Sequence, residues 1–271
     1  AEIVTFNPLR ERGLERFVNP QSPREMLTPD STVISTQYHQ LAIGGDMAAI
    51  AGMCKALFAM DDLAIAEGRQ RVLDVAFIEQ HTHGFEAFEA RIRSYTWEQL
   101  ERRSGLTRAA MEAAATAYAR CERVIAPYGM GLTQHRHGVQ TIQMLVNLLL
   151  LRGNMGKEGA GILPVRGHSN VQGQRTVGIS EKPELVPLDE MGRMFGFSPP
   201  RETGHTTVEA AEGVIDGSVR GFLQMGGNFA ISIPDSGRVM PAWEGLDLIV
   251  NVATKLNRSH LLPGRQTWLL P

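Results

Sequence analysis

Residues 123–152 read RVIAPYGMGLTQHRHGVQTIQMLVNLLLLR, and the order of their parts decides the fold. An apolar, β-branched run at 123–126 reads as a buried strand. It closes on a glycine turn, Gly129 and Gly131, followed by His135, His137 and a long apolar stretch at 139–152. That stretch is too short to span a bilayer and reads as a buried helix. Strand, glycine turn and helix in this order are how α/β folds place a ligand at the carboxyl end of a strand.

Working outward, the same punctuation recurs. Upstream, a strand-like run at 2–6 stops at Asn7 and Pro8. A proline-rich passage through Pro20, Pro23, Pro29 and Asp30 reads as loop. A short extended pattern over 32–43 leads to Gly44, Gly45 and Asp46, and an apolar helix is expected over about 47–61. Helical text follows at 75–80, 85–95, 97–103 and 107–120, with Thr107 as the N-cap of the last. Downstream, 153–186 is rich in Gly, Asn, Gln and Ser, and 183–207 reads as loop around a short helix near 188–195. A helix at 207–216, a strand at 219–225, a helix near 237–243 and a strand at 246–252 then repeat the β–turn–α–β order. The lobe boundary is expected near 160–170. Because both ends fall in strand-like runs, the sequence is expected to be cut from a longer polypeptide.

Bulk composition narrows the classes. The chain has 271 residues, 43% hydrophobic and 21% charged, which is enough for one large or two medium domains. A net charge of −2 makes no electrostatic case for nucleic acid or an anionic membrane. No membrane segment and no signal-peptide pattern are read within these residues; a cytoplasmic location is the expectation, with any export signal expected in sequence preceding this one. Cys54 and Cys121 are far apart, lack the close neighbours of a zinc or iron–sulfur site, and read as small buried hydrophobes.

The least ordinary text is residues 164–173, PVRGHSNVQG. Arg166 suits bidentate pairing with a phosphate or carboxylate, and His168, Ser169, Asn170 and Gln172 offer directional hydrogen bonds. Gly167 and Gly173 let backbone approach a ligand. The same composition also fits a loop that satisfies its own backbone. The turn at Gly129, Gly131 and Gln134 follows a strand, as does the Gly226, Gly227 and Asn228 turn. Each reads either as an N–H row facing an anion or as a plain turn. Polar residues 254–259 follow another strand. The histidine pairs His81, His83 and His135, His137 have i, i+2 spacing at helix starts, and no metal site is read from them. Five polar turns after strands favour a large, multiply anchored ligand over a small one.

The runs GMGLTQH at 129–135, NLLLLRGNMGKEGAG at 147–161 and PVRGHSNVQG at 164–173 resemble those of the molybdopterin-dependent oxidoreductases, formate dehydrogenase alpha subunits among them. Asn7 to Arg10, Gly44 to Asp46, Met225 to Asn228, Asp235 and Thr254 to Asn257 match family landmarks in order. The resemblance implies an α/β fold of two Rossmann-like three-layer lobes with mostly parallel sheets, each partial here: residues 1–165 and 166–271. It implies a bis-molybdopterin guanine dinucleotide cofactor carrying molybdenum or tungsten. Asn7, Arg10, Gly45, Asp46, Gly129, Gly131 and Gln134 would then serve one dinucleotide. Gly226, Gly227, Asn228, Asp235, Thr254 and Asn257 would serve the other, with Gly167, Asn170 and Gln172 lining the cofactor between them. Arg166 and His168 would face metal and substrate, and no residue of this chain would ligate the metal directly. His168 stands where formate-oxidising relatives have glutamine, so formate is not carried over. The 4Fe–4S cluster and the metal-ligating Cys or selenocysteine of the family are expected in sequence preceding this one. The expectation is therefore a central fragment, inactive alone, of an enzyme acting on a small-molecule substrate with an unidentified redox partner. A stand-alone nucleotide- or partner-binding domain is the rival. A nicotinamide dehydrogenase is disfavoured, since no G-x-G-x-x-G follows an early strand.

Overall fold

A computed structural model describes residues 2–28, 30–168 and 170–271. Pro29 of the expected loop and Ser169 of the 164–173 stretch lie outside the described residues. The chain is an α/β protein of small, mostly parallel sheets, and it divides into two compact units, Ala1–Ser169 and Asn170–Pro271.

The first unit begins with β1 (Val4–Phe6), α1 (Arg12–Glu15), β2 (Arg16–Phe17), α2 (Pro23–Leu27), β3 (Thr32–Val33) and β4 (Gln37–His39). β1 and β4 pair in parallel, with Phe6 opposite His39, and β2 pairs antiparallel with β3. Then come α3 (Asp46–Ala66), α4 (Val75–His81), α5 (Phe85–Ser94), α6 (Trp97–Ser104), α7 (Arg108–Arg120), β5 (Ile125–Tyr128), α8 (Gly138–Leu150) and β6 (Gly161–Pro164). β5 and β6 are parallel, with Tyr128 opposite Pro164.

The core of this unit forms around α3, which is apolar on nearly every side because α5, α6, α7 and α8 surround it. The Met111 side chain lies where a Cβ at Gly52 would stand, so glycine leaves room for that methionine between α3 and α7. Phe58 meets the edges of Phe85 and Phe88 at centroid distances of 6.2 and 6.3 Å. The intervening helices start on side-chain caps: Asp74 on the Phe77 N–H, Thr96 in a capping box with Gln99, and Thr107 on the Ala110 N–H.

Two departures from the sequence reading have clear causes. α3 runs to Ala66, beyond the expected end near residue 61, because Asp61 is an internal anchor. Only 2% exposed, it accepts hydrogen bonds from Arg71 Nε at 2.8 Å, from the Val72 N–H at 2.8 Å and from the Leu73 N–H at 3.1 Å. The strand expected as buried at 123–126 is instead Ile125–Tyr128, alternately exposed and half-buried, with Ile125 54% exposed. Only its Ala126 and Tyr128 face meets the core, and Pro127 fits because a strand paired on one side leaves an unneeded donor position. Cys54 is fully buried as read, and burial pushes its thiol up; Cys121 is half-buried at the end of α7.

The second unit contains α9 (Val171–Thr176), α10 (Leu188–Phe195), α11 (Thr207–Asp216), β7 (Gly221–Met225), α12 (Phe229–Ser232), α13 (Ser236–Glu244), β8 (Leu248–Val252) and β9 (Gln266–Leu270). β7, β8 and β9 form one parallel sheet with β8 in the middle. Trp243 is fully buried and packs against Phe222 and Phe229, at centroid distances of 4.8 and 5.9 Å. Val214, Ala230, Leu246 and Ile249 complete that core.

Candidate functional site: polar turns at parallel strand ends

In the first unit, β5 and β6 run side by side, so the turns leaving them lie at one sheet edge. The 3-10 turn Met130–Leu132 follows β5, and Arg166, Gly167 and His168 follow β6. The two are adjacent: a Cβ on Gly167 would lie 3.5 Å from the Met130 sulfur. Gly129 and Gly131 have open space where a side chain would project. Arg166 and His168 are exposed, and among the described residues neither side chain has a hydrogen-bond or ion-pair partner. Gln134 is exposed too, and among the described residues its amide approaches only the Met130 sulfur, at 3.7 Å.

The turn after β4 leads into α3. Gly45 is there for packing: a Cβ would meet the carbonyl oxygens of Ser104, Ala42 and Arg103 at 2.8–2.9 Å. Asp46 is half-buried, and burial pushes its carboxyl up against the opposing pull of its own backbone N–H and of His135. His135 accepts the His137 N–H on Nδ1 at 3.2 Å, which leaves the proton on Nε2, buried and without a partner among the described residues. From sequence, His135 reads as half of an i, i+2 pair and as the end of the 129–135 run, and neither announces its orphaned Nε2.

Residues of the turn after β1 are engaged locally. The Asn7 amide donates to the Leu9 carbonyl at 2.6 Å and to Glu11 at 2.8 Å, while Arg10 pairs with Glu15 at 2.6 Å. The Arg10–Glu15 pair is largely exposed and weak enough to exchange for another anion.

In the second unit, the turns after β7 and β8 are joined by side chains. Gly226 and Gly227 take successive left-handed conformations, φ 70° and 79°, with open space where each Cβ would be. The Gly227 carbonyl accepts two amides, Gln224 Nε2 at 3.0 Å and Asn257 Nδ2 at 2.7 Å. Asn228 Oδ1 accepts the Ser259 N–H at 3.1 Å. Among the described residues, the N–H groups of Gly227 and Asn228 donate to nothing. Thr254 is exposed on the same turn as Asn257, and Asp235 is exposed at the start of α13, where it pairs with Arg238 at 3.1 Å. Gln224 went unremarked in the sequence because it lies inside an otherwise apolar strand.

Asn170 and Gln172 belong to this unit and open α9. Asn170 is the one non-glycine residue with positive φ among the described residues, 55°, and its side-chain amide fills the place of a Gly173 Cβ. Gln172 is exposed. Among the described residues no group of three His, Cys, Asp or Glu side chains is arranged to hold a metal ion, and no helix is long and apolar enough to cross a membrane.

Residues 26–260 match the family model for molybdopterin oxidoreductases. The chain is 49% identical over its full length to protein YdeP of Escherichia coli K12, covering 36% of that protein. It is 31% identical over 192 residues to formate dehydrogenase H of the same organism, a match covering 67% of this chain and 27% of that one. Among solved structures it resembles acetylene hydratase from Pelobacter acetylenicus, with a TM-score of 0.61 and 13% identity, over 97% of this chain and 36% of that one. At that identity the last likeness speaks to fold alone. The chain thus spans about a third of the length of the relatives it matches.

Proposed function

This chain belongs to the molybdopterin oxidoreductase family, and on that footing we propose that it is the central cofactor-binding part of a molybdopterin-dependent oxidoreductase, each unit holding the guanosine diphosphate end of one pterin guanine dinucleotide. The turn at Gly226 and Gly227 carries the reading. Two left-handed glycines open onto empty space, the Gly227 carbonyl is saturated from within, and among the described residues the Gly227 and Asn228 N–H groups have no acceptor. Such a concave N–H row suits phosphate oxygens. In the first unit, the Asp46 carboxylate is an acceptor for ring N–H donors such as those of guanine. This donor set fits an anionic dinucleotide.

When bound, the cofactor supplies a molybdenum or tungsten centre for two-electron transfer. The protein's share is grip, orientation and proton handling. Arg166, exposed and unpaired among the described residues, orients a small anionic substrate and stabilises charge that develops on it. His168 is positioned two residues on to hold or pass a proton. Turnover belongs to the full-length protein.

The test is cofactor content in that protein. Gly227→Val, which blocks the open side of the turn, and Asp46→Asn, which removes the carboxylate, should each lower acid-released guanine nucleotide several-fold, on the order of 1 kcal/mol or more of binding. Wild-type content in both variants contradicts the proposal.

A further inference from the structure

We infer that His260 is a positioning residue for the nucleotide-binding turn of the second unit, acting through Asn257 on Gly227; the inference rests on the reading of that turn given above and names what holds it in place.

His260 lies in the 3-10 turn Arg258–Leu261 that follows β8. Its Nδ1 accepts the Asn257 N–H at 3.1 Å. Asn257 is thereby held at its backbone, and its side chain is held at both ends: Oδ1 accepts the Ser259 N–H at 2.9 Å, and Nδ2 donates to the Gly227 carbonyl at 2.7 Å. Gln224 Nε2 reaches the same carbonyl at 3.0 Å. With both lone pairs of that carbonyl engaged, the peptide between Gly227 and Asn228 cannot rotate. In a trans peptide the N–H points opposite the carbonyl, so the Asn228 N–H is aimed away from the clamp, outward. Among the described residues it donates to nothing, and a phosphate-bearing ligand is the class of group that fits it.

The rest of the imidazole argues that the Asn257 contact is why a histidine stands here. With Nδ1 accepting, the proton sits on Nε2, which is buried and has no partner among the described residues. Burying a lone donor is unfavourable, and a leucine would fill the space without that cost. The acceptor at Nδ1 is what the leucine could not supply.

The experiment uses the full-length protein with His260→Asn, His260→Gln and His260→Leu. An asparagine oxygen can stand where Nδ1 stands; a glutamine oxygen is one bond too far, and leucine has none. Hydrogen exchange of the Asn257 and Ser259 amides is read by mass spectrometry, alongside guanine nucleotide released on acid treatment. The Gln and Leu variants should exchange about tenfold faster and lose several-fold in nucleotide, while Asn stays within about twofold of wild type on both. An Asn257→Ala, His260→Leu double variant should lose no more nucleotide than Asn257→Ala alone. Unchanged exchange in His260→Leu, or equal loss in all three variants, overturns the inference. Wild-type protein without guanine nucleotide overturns the cofactor reading, and the exchange readout then decides the positioning role by itself.

Discussion

Gly45 and Gly227 both follow strands, yet for different physical reasons. At Gly45 three backbone carbonyls crowd the missing side chain, while at Gly227 the missing side chain leaves open space and a left-handed backbone. Gly45→Ala should therefore lower stability by about 1–3 kcal/mol through overpacking, with or without cofactor, as melting temperature would record. Gly227→Val should lower nucleotide content and, because a β-branched residue is strained at φ 79°, melting temperature as well. The resemblance assigns both glycines to the cofactor, and composition alone cannot tell a glycine crowded by backbone from one that opens onto space. Arg166 is the sharper residue-scale case. Arg166→Ala should lower kcat/KM by on the order of 10²-fold with metal content unchanged, and lysine should recover only part, since it lacks the planar fork. Steady-state kinetics beside metal analysis checks this.

Among the elements, helices with amphipathic period and side-chain caps were legible, and Thr107, read as a cap, is one. Glycine and proline misled elsewhere. β6 (Gly161–Pro164) went unread because it starts and ends on strand-breaking residues, and the strand expected at 123–126 in fact runs on through Pro127 to Tyr128. Asn154, an unremarkable amide within the glycine-rich text, is fully buried and ties three elements together. It accepts the Val124 N–H at 3.0 Å and donates to the Tyr118 hydroxyl at 3.0 Å, which in turn donates to the Leu148 carbonyl at 3.0 Å. Asn154→Ala leaves the half-buried Val124 N–H without its acceptor and removes one of the two bonds of the buried Tyr118 hydroxyl, and should cost on the order of 2 kcal/mol in denaturant unfolding. Asp61 sets an acid limit on α3. Burial alone would push its carboxyl up, but the Arg71 side chain and the Val72 and Leu73 N–H groups outweigh that and hold it below the ordinary range. A depressed folded-state value means the contribution is fully present above the unfolded value, about 3.9, and is lost as pH falls through the folded one. Asp61→Asn should therefore flatten the acid limb of the stability curve, while lowering stability at neutral pH.

For the whole molecule, the order of turns along the chain was legible, but their meeting was not. Which turns share a place depends on strand pairing and on single hydrogen bonds: β5 beside β6, Asn257 on Gly227. None of these leaves a periodic or compositional trace, since each links residues dozens of positions apart or in an order the sequence does not announce. What they build is, in each unit, a group of polar turns with unfilled donors or acceptors at the carboxyl ends of parallel strands. The central claim is that each such group holds one guanine nucleotide. It is tested most directly by measuring metal and acid-released guanine nucleotide together in the full-length protein purified without oxygen. The account predicts about two guanine nucleotides per molybdenum or tungsten atom, one for each unit. Metal with a single nucleotide, or neither, would contradict it.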